Sequence, residues 1–258
     1  MKKTRLDITL VQRNLVPTRS QAQTLIRSGQ VFLNDQKAIT PSQLTTDKDK
    51  IIIKEKLKYV SRGGLKLEHA LKEFKINPQR KICLDIGSST GGFTDCLIQH
   101  HAQKVYALDV GTHQLADKLK NNPLIISLEQ THFLKINQLP DSDISLITID
   151  VSFISSKKIL LHIFNLFKPS VVTTLGLSPD SKLPKHLEII LLLKPQFESS
   201  PKYLKKGVVK DPKIHQQIIN DFQTFCQENH ITVLNTTTSP IRGPKGNIEF
   251  LFHLNINL

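Results

Sequence analysis

Lys81-Ile-Cys-Leu-Asp-Ile-Gly-Ser-Ser-Thr-Gly-Gly-Phe93 decides how the chain is built. Ile82, Cys83 and Leu84 form an apolar run suited to a buried parallel strand. Asp85 closes that strand. A loop of small residues follows, with Gly87, Ser88, Ser89, Gly91 and Gly92. Phe93 to Gln99 then reads as a helix. Strand, tight glycine loop and helix are how an open α/β sheet builds a ligand crevice at the carboxyl ends of its strands. The order Asp-x-Gly-x-x-x-Gly-Gly is not the dinucleotide pattern G-x-G-x-x-G. It is no P-loop either, because no Gly-Lys-Ser/Thr closes it. The stretch by itself also fits an ordinary βα turn.

An acid ahead of the glycine turn suits a ligand with an ammonium group better than a pyrophosphate, and S-adenosylmethionine is such a ligand. Downstream, strand and helix patterns alternate. Strands are predicted at 105–110, 124–128, 144–149 and 189–193, and helices at 65–74, 113–120, 155–167 and 212–229. Two closing strands, 231–234 and 250–254, have no helix between them and predict a hairpin with one antiparallel member. This is the pattern of a mainly parallel sheet covered by helices on both faces. Acids recur where strands end: Asp85, Asp109, Glu129 and Asp150. Asp109 lies near the spacing at which a carboxylate grips a ribose diol, with Val110 beside it. Lys194 directly follows a buried apolar run and precedes Pro195, which is unusual for a surface lysine. The polar stretch Ser170 to Glu188 reads as an insertion or loop.

The chain has 258 residues and a net charge of +13. That balance suits nucleic acid or another anionic surface as partner. The excess is concentrated. Residues 1–60 hold 12 of the 35 Lys and Arg and only five of the 22 acids. Here the pattern predicts two short helices, around Leu6, Leu10 and Val11 and then around Ala22, Leu25 and Ile26, with Gly29 ending the second. Strands at Val31–Leu33 and Ile51–Lys54 follow, with a turn at Asn34-Asp35. Arg5, Arg13, Arg19 and Arg27 are left facing solvent, and with Lys3 and Arg62 they make a candidate RNA face. Residues 54–61 read as a charged linker and Gly63-Gly64 as a tight turn. Cys83, Cys96 and Cys226 are widely spaced, which predicts neither a metal site nor disulfides. No apolar run is long enough for a membrane span, and no secretory signal is visible, so the expected location is cytoplasmic.

Residues 1–60 resemble the alpha-L RNA-binding module of bacterial pseudouridine synthases, tyrosyl-tRNA synthetases and a small-subunit ribosomal protein. The likeness rests on Arg5-Leu6-Asp7, Leu10-Val11, Ser20-x-Ala22, Leu25-Ile26, Gly29-x-Val31 and Asn34. The whole chain resembles the TlyA (haemolysin A) family of ribosomal RNA 2′-O-methyltransferases. That likeness rests on Ser61-Arg62-Gly63-Gly64-Leu65-Lys66, Leu84-Asp85-Ile86-Gly87, Ser89-Thr90-Gly91-Gly92-Phe93 and Ala107-Leu108-Asp109-Val110-Gly111. It continues in Asp150-Val151-Ser152-Phe153, Leu193-Lys194-Pro195-Gln196-Phe197-Glu198 and Gly246-Asn247-Ile248-Glu249.

The resemblance implies an α/β class I (Rossmann-like) methyltransferase with a seven-stranded sheet over 61–258, behind an α+β RNA-binding domain at 1–60. It implies a catalytic tetrad of Lys66, Asp150, Lys194 and Glu249. The S-adenosylmethionine site falls on Asp85, Gly87, Ser88, Ser89, Gly91, Gly92, Phe93, Asp109, Val110 and Glu129. The implied partner is ribosomal RNA or a ribosomal subunit, methylated at a cytidine ribose, without metal or membrane, by a monomer or weak dimer. His132 stands where members have Asn, and Ser199-Ser200-Pro201-Lys202-Tyr203 replaces a glycine-rich run. A non-catalytic assembly factor, a membrane-active haemolysin and a methyltransferase for protein or small molecules are the alternatives.

Overall fold

The structure, a computed structural model, describes residues 3–27, 29–54, 57–166 and 186–257. It divides into two compact units, Met1–Arg62 and Gly63–Leu258.

In the first unit, helices α1 (Leu6–Gln12) and α2 (Arg19–Arg27) pack on short strands. These are β1 (Thr4–Arg5), β2 (Val31–Leu33), β3 (Gln36–Lys37), β4 (Leu44–Thr45) and β5 (Ile51–Ile53). β3, β2 and β5 form one antiparallel sheet. Asn34 and Asp35 both take positive φ in the two-residue turn between β2 and β3, the conformation a tight hairpin demands. Leu6, Leu10, Ala22, Leu25, Ile26 and Val31 form the core. The stretch read as a linker is not wholly solvent-borne: Tyr59 and Val60 are buried, and the Val60 carbonyl accepts from Gln21 Nε2 (3.2 Å).

Of the arginines expected to face solvent, Arg19 and Arg27 are exposed and Arg5 and Arg13 half-buried, but Arg5, Arg13 and Arg19 also take partners within the unit. Asp7 is fully inaccessible and gathers Arg5 Nε and Nη2 (both 3.0 Å), Arg19 Nε (2.9 Å) and Gln23 Nε2 (2.8 Å). The Arg5 guanidinium, with Gln23 and Arg19, holds its carboxyl well below the usual carboxylate range despite burial. Arg13 donates to the carbonyls of Asp49, Thr46 and Asp47 (2.7, 2.9 and 3.1 Å). Replacing Arg5 and Arg19 together by alanine strands a buried carboxylate. We expect about 2 kcal/mol of lost stability in this unit, below the 3–5 of a sealed ion pair, because both arginines are partly exposed and Gln23 still donates. Urea unfolding of the double variant measures it.

In the second unit, α3 (Gly63–Phe74) leads into β6 (Ile82–Ile86). Gly63 and Gly64 form the first turn of that helix rather than a separate turn. Then come α4 (Gly92–Gln99), β7 (Lys104–Leu108), α5 (Asp117–Lys120), β8 (Ile125–Leu128), β9 (Ile144–Ile149) and α6 (Ser156–Leu166). β10 (His186–Leu193), α7 (Pro195–Glu198), β11 (Leu204–Lys205), β12 (Val208–Val209), α8 (Pro212–Glu228), β13 (Ile231–Thr238) and β14 (Phe250–Asn257) complete it. The sheet order is β13-β14-β10-β9-β6-β7-β8, with only β14 running against its neighbours.

Glu188, read as part of a loop, lies inside β10, where it meets Lys81 and His253. Residues 170–185 of that stretch lie outside the described residues. The helix expected at 113–120 is cut to Asp117–Lys120. The Asp109 carboxylate takes the Gly111 N–H and Glu129 that of His113 (2.8 and 2.7 Å), which holds the chain in turns.

Strand periodicity divides the core. Leu84, Ile86, Ile147, Leu191 and Phe252 join Ile159 and Leu160 of α6 and Ile218 and Phe222 of α8. Each such side chain is worth about 1.5–3 kcal/mol when buried. Asp85 and Thr148, one step out of phase, point to the opposite face, where α4 lies.

Candidate active site

Strand register assembles the site. Ile86 pairs with Ile149 across β6 and β9, and Ile149 with Leu191 across β9 and β10. Leu193 pairs with Phe250 across β10 and β14. Because β14 is antiparallel, its first residue lies beside the last residue of β10. Asp150, Lys194 and Glu249 therefore emerge along one edge of the sheet.

Two ion pairs form there. Lys66, on α3, reaches Glu249 Oε2 at 2.5 Å, with side-chain exposures of 10% and 1%. Such burial makes this pair a fixed structural unit. Lys194 Nζ approaches Asp150 Oδ1 at 2.7 Å and donates to Ser152 Oγ at 2.9 Å. Glu249 Oε1 is buried with no hydrogen-bond partner among the described residues, a condition buried polar atoms rarely tolerate unless a ligand or water completes them. A Cβ on Gly243 would stand 2.4 Å from that oxygen, so glycine there preserves the carboxylate's space.

The loop after β6 is locked to this edge. Gly87 has φ +83°, and a Cβ there would sit 2.9 Å from the Asp150 carbonyl oxygen. Its N–H and that of Ser88 both donate to Leu108 O (2.9 and 3.1 Å). Gly91, at φ +90°, presses on Leu115 and Leu119. Gly92 opens α4, and Phe93 is buried. Asp109 accepts the Ser89 N–H as well as that of Gly111 (both 2.8 Å), leaving a second lone pair on each oxygen. Val110 beside it is 65% exposed. The His113 N–H holds Glu129 below the usual carboxylate range.

Asp85 faces inward. Thr94 Oγ1 and Thr148 Oγ1 donate to its two oxygens (2.6 and 2.9 Å). Burial pushes its carboxyl up to about 6 in spite of those bonds. The folded state thus holds this proton more tightly than the unfolded chain, and stability falls as pH rises from about 4 to 6. Asp85→Asn should remove that loss, about 3 kcal/mol at neutral pH, seen as a flatter pH dependence in thermal melts.

Sequence reasoning missed several residues. Ser152 holds Lys194. Glu198 accepts Ser155 Oγ and Ser156 N–H (both 2.7 Å), strapping α7, just after Lys194, to the segment that follows Asp150. Neither has a periodic signal. Phe153 sits at φ +65° with 92% of its surface exposed, its ring centroid 5.1 Å from that of Phe197.

The profile of the FtsJ-like methyltransferase family matches residues 59–256, and that of the S4 domain residues 4–51. Hemolysin A of Brachyspira hyodysenteriae is 41% identical over 96% of this chain and 98% of its own. The 23S rRNA (cytidine-2′-O)-methyltransferase TlyA of Campylobacter jejuni is 36% identical over 94% and 96%. The chain belongs to the TlyA family of FtsJ-like methyltransferases. A solved Streptococcus thermophilus chain, provisionally named a hemolysin, superposes with a TM-score of 0.71 at 36% identity, covering 100% of this chain and 90% of that one. The class I methyltransferase fold of the TlyA family thus follows an S4 domain here. Among the described residues no helix is long and apolar enough to cross a membrane.

Proposed function

We propose that the chain transfers a methyl group from S-adenosylmethionine to a ribose 2′-hydroxyl of ribosomal RNA, at a cytidine. The observation that carries this reading is the pair of Lys–carboxylate contacts aligned by register on the sheet edge beside the glycine loop. The residues fit the methyl donor: Asp109 and Glu129 offer carboxylates to a ribose diol, exposed Val110 an apolar face to a purine, and the loop from Gly87 to Gly92 close backbone approach. Bound there, S-adenosylmethionine supplies an electrophilic methyl on sulfonium. Asp85, braced by two threonines, holds the loop rather than touching the ligand.

A 2′-hydroxyl is a weak nucleophile, so the protein must align it and receive its proton. Lys194, fixed by Asp150 and Ser152, contacts the 2′-oxygen and balances the charge that grows on it. As the methyl moves to the 2′-oxygen, the hydroxyl proton passes to the Asp150 carboxylate, the basic member of the Lys194–Asp150 pair. Glu249, buried and paired with Lys66, orients that lysine at the catalytic edge. Phe153 offers a face on which the nucleobase can stack. In the first unit Lys3, Arg27 and Arg62 add phosphate contacts, together with the exposed edges of Arg5 and Arg19; Arg13 serves the module's own turn. The enzyme works in the cytoplasm, where its substrate is made.

Tritium transfer from labelled S-adenosylmethionine to both ribosomal subunits and to naked ribosomal RNA tests the reading. Label recovered in an alkali-resistant dinucleotide is the expected result. No label on any form of the RNA would overturn it.

A further inference from the structure

One charged surface of the second unit has no part in the chemistry above. Residues 199–210 carry Lys202, Lys205, Lys206 and Lys210 and no acid; residues 239–248 carry Arg242 and Lys245 and no acid. All six side chains are exposed. Among the described residues none of them forms an ion pair.

The two segments are built into one another. β11 and β12 pair in register around Lys206 and Gly207, which take φ +54° and +79°, a tight two-residue hairpin turn. Asn247 is 2% exposed and spends both ends of its amide on this hairpin. Its Nδ2 donates to Gly207 O and its Oδ1 accepts from Val209 N–H, both at 3.0 Å. His215 Nε2 bonds Val209 O at 3.1 Å. A Cβ on Gly207 would lie 3.3 Å from Lys245 Nζ, so the turn's lysine rests on the hairpin tip. The same turn packs Gly243 against the Glu249 carboxylate. These basic segments, bordered by the exposed Asp211 after Lys210, are thus linked through Asn247 to the turn that leads into the candidate catalytic edge.

We infer that this interlocked hairpin and turn form a second RNA contact surface, separate from the S4 domain, that holds the phosphate backbone of the strand being modified. The inference rests on the proposed reaction for its choice of polyanion. Six separate exposed cations suit a chain of phosphates better than one small anion, which would need converging buried donors. A membrane surface fits less well, because no large side chain of the hairpin stands among the exposed hydrophobics and interfacial binding needs an apolar face.

The test uses the full chain, saturating S-adenosylmethionine and naked ribosomal RNA, with the triple variant Lys202→Gln, Lys205→Gln, Lys210→Gln. Binding is measured against salt. Loss of three phosphate contacts should lower the slope of log K against log salt by about two and weaken binding about tenfold or more at physiological salt. S-adenosylmethionine affinity and melting temperature should not move. An unchanged slope and affinity would overturn the surface, as would an unchanged slope with the same three lysines proving necessary for binding to anionic phosphatidylglycerol vesicles. Methyl transfer by the wild type, read in the same samples, separates the two ideas. Transfer with an unchanged slope defeats only the surface; a lowered slope without transfer defeats only the reaction.

Discussion

Lys194→Ala is expected to slow methyl transfer by about 10²–10⁴ while leaving S-adenosylmethionine affinity where it was. The lysine follows β10 directly and is held from two sides, by Asp150 Oδ1 and Ser152 Oγ. Both partners lie on the segment after β9, so Lys194 is positioned by the sheet rather than by its own flexibility. Its side chain is 11% exposed, which leaves the amine little freedom. Truncation removes the group facing the 2′-oxygen and strands Asp150, which stays 22% exposed and can recruit water. The fold should therefore survive. The cofactor-binding residues assigned to the glycine loop, Asp109 and Glu129 are on other strands, so binding and chemistry separate. Single-turnover transfer beside calorimetric titration of the cofactor measures both; a rate near wild type would remove Lys194 from the mechanism.

Glu249→Ala should behave differently, because it breaks the sealed pair. Lys66 is 10% exposed and Glu249 only 1%. Removing one partner leaves a buried, uncompensated ammonium, which costs about 3–5 kcal/mol. For a unit of this size that lowers the melting temperature by about 10 °C. The second variant to make is Lys66→Met with Glu249→Leu. Replacing both charges by apolar groups of similar volume is often neutral or stabilising, so the double variant should regain most of the lost stability and remain inactive. Recovery of stability without activity would separate the two roles of this pair. A double variant with wild-type transfer would show that neither charge serves the reaction, and a single variant as stable as wild type would contradict the burial argument.

The first unit shows how far residue type alone misleads. Arg5, Arg13 and Arg19 look alike in the sequence. In the structure Arg13 is spent on three carbonyls of its own turn, and Arg5 and Arg19 share a buried Asp7. An RNA role tested only by removing Arg5 and Arg19 would confuse lost contacts with lost stability. Lys3 and Arg27, both exposed, are cleaner positions.

Much of the architecture was legible from short-range pattern. The 82–86 strand, the glycine loop, the alternation that follows and the antiparallel closing hairpin are set by apolar periodicity and by Gly and Pro placement, which act over a few residues. The identity of Lys66, Asp150, Lys194 and Glu249 as a group came from resemblance and not from spacing, because they are separated by up to 183 residues. Only the tertiary structure decided which partners they take: Lys66 with Glu249 in a dry pair, Lys194 with Asp150 and Ser152 in a more open one. It also turned Asp85 inward, shortened the helix before β8 and joined the basic hairpin to the Glu249 turn through Asn247. The physical reason is that propensity and hydrophobic period are properties of neighbours in the chain. Charge pairing, burial and strand register belong to neighbours in space, and the folded sheet chooses those.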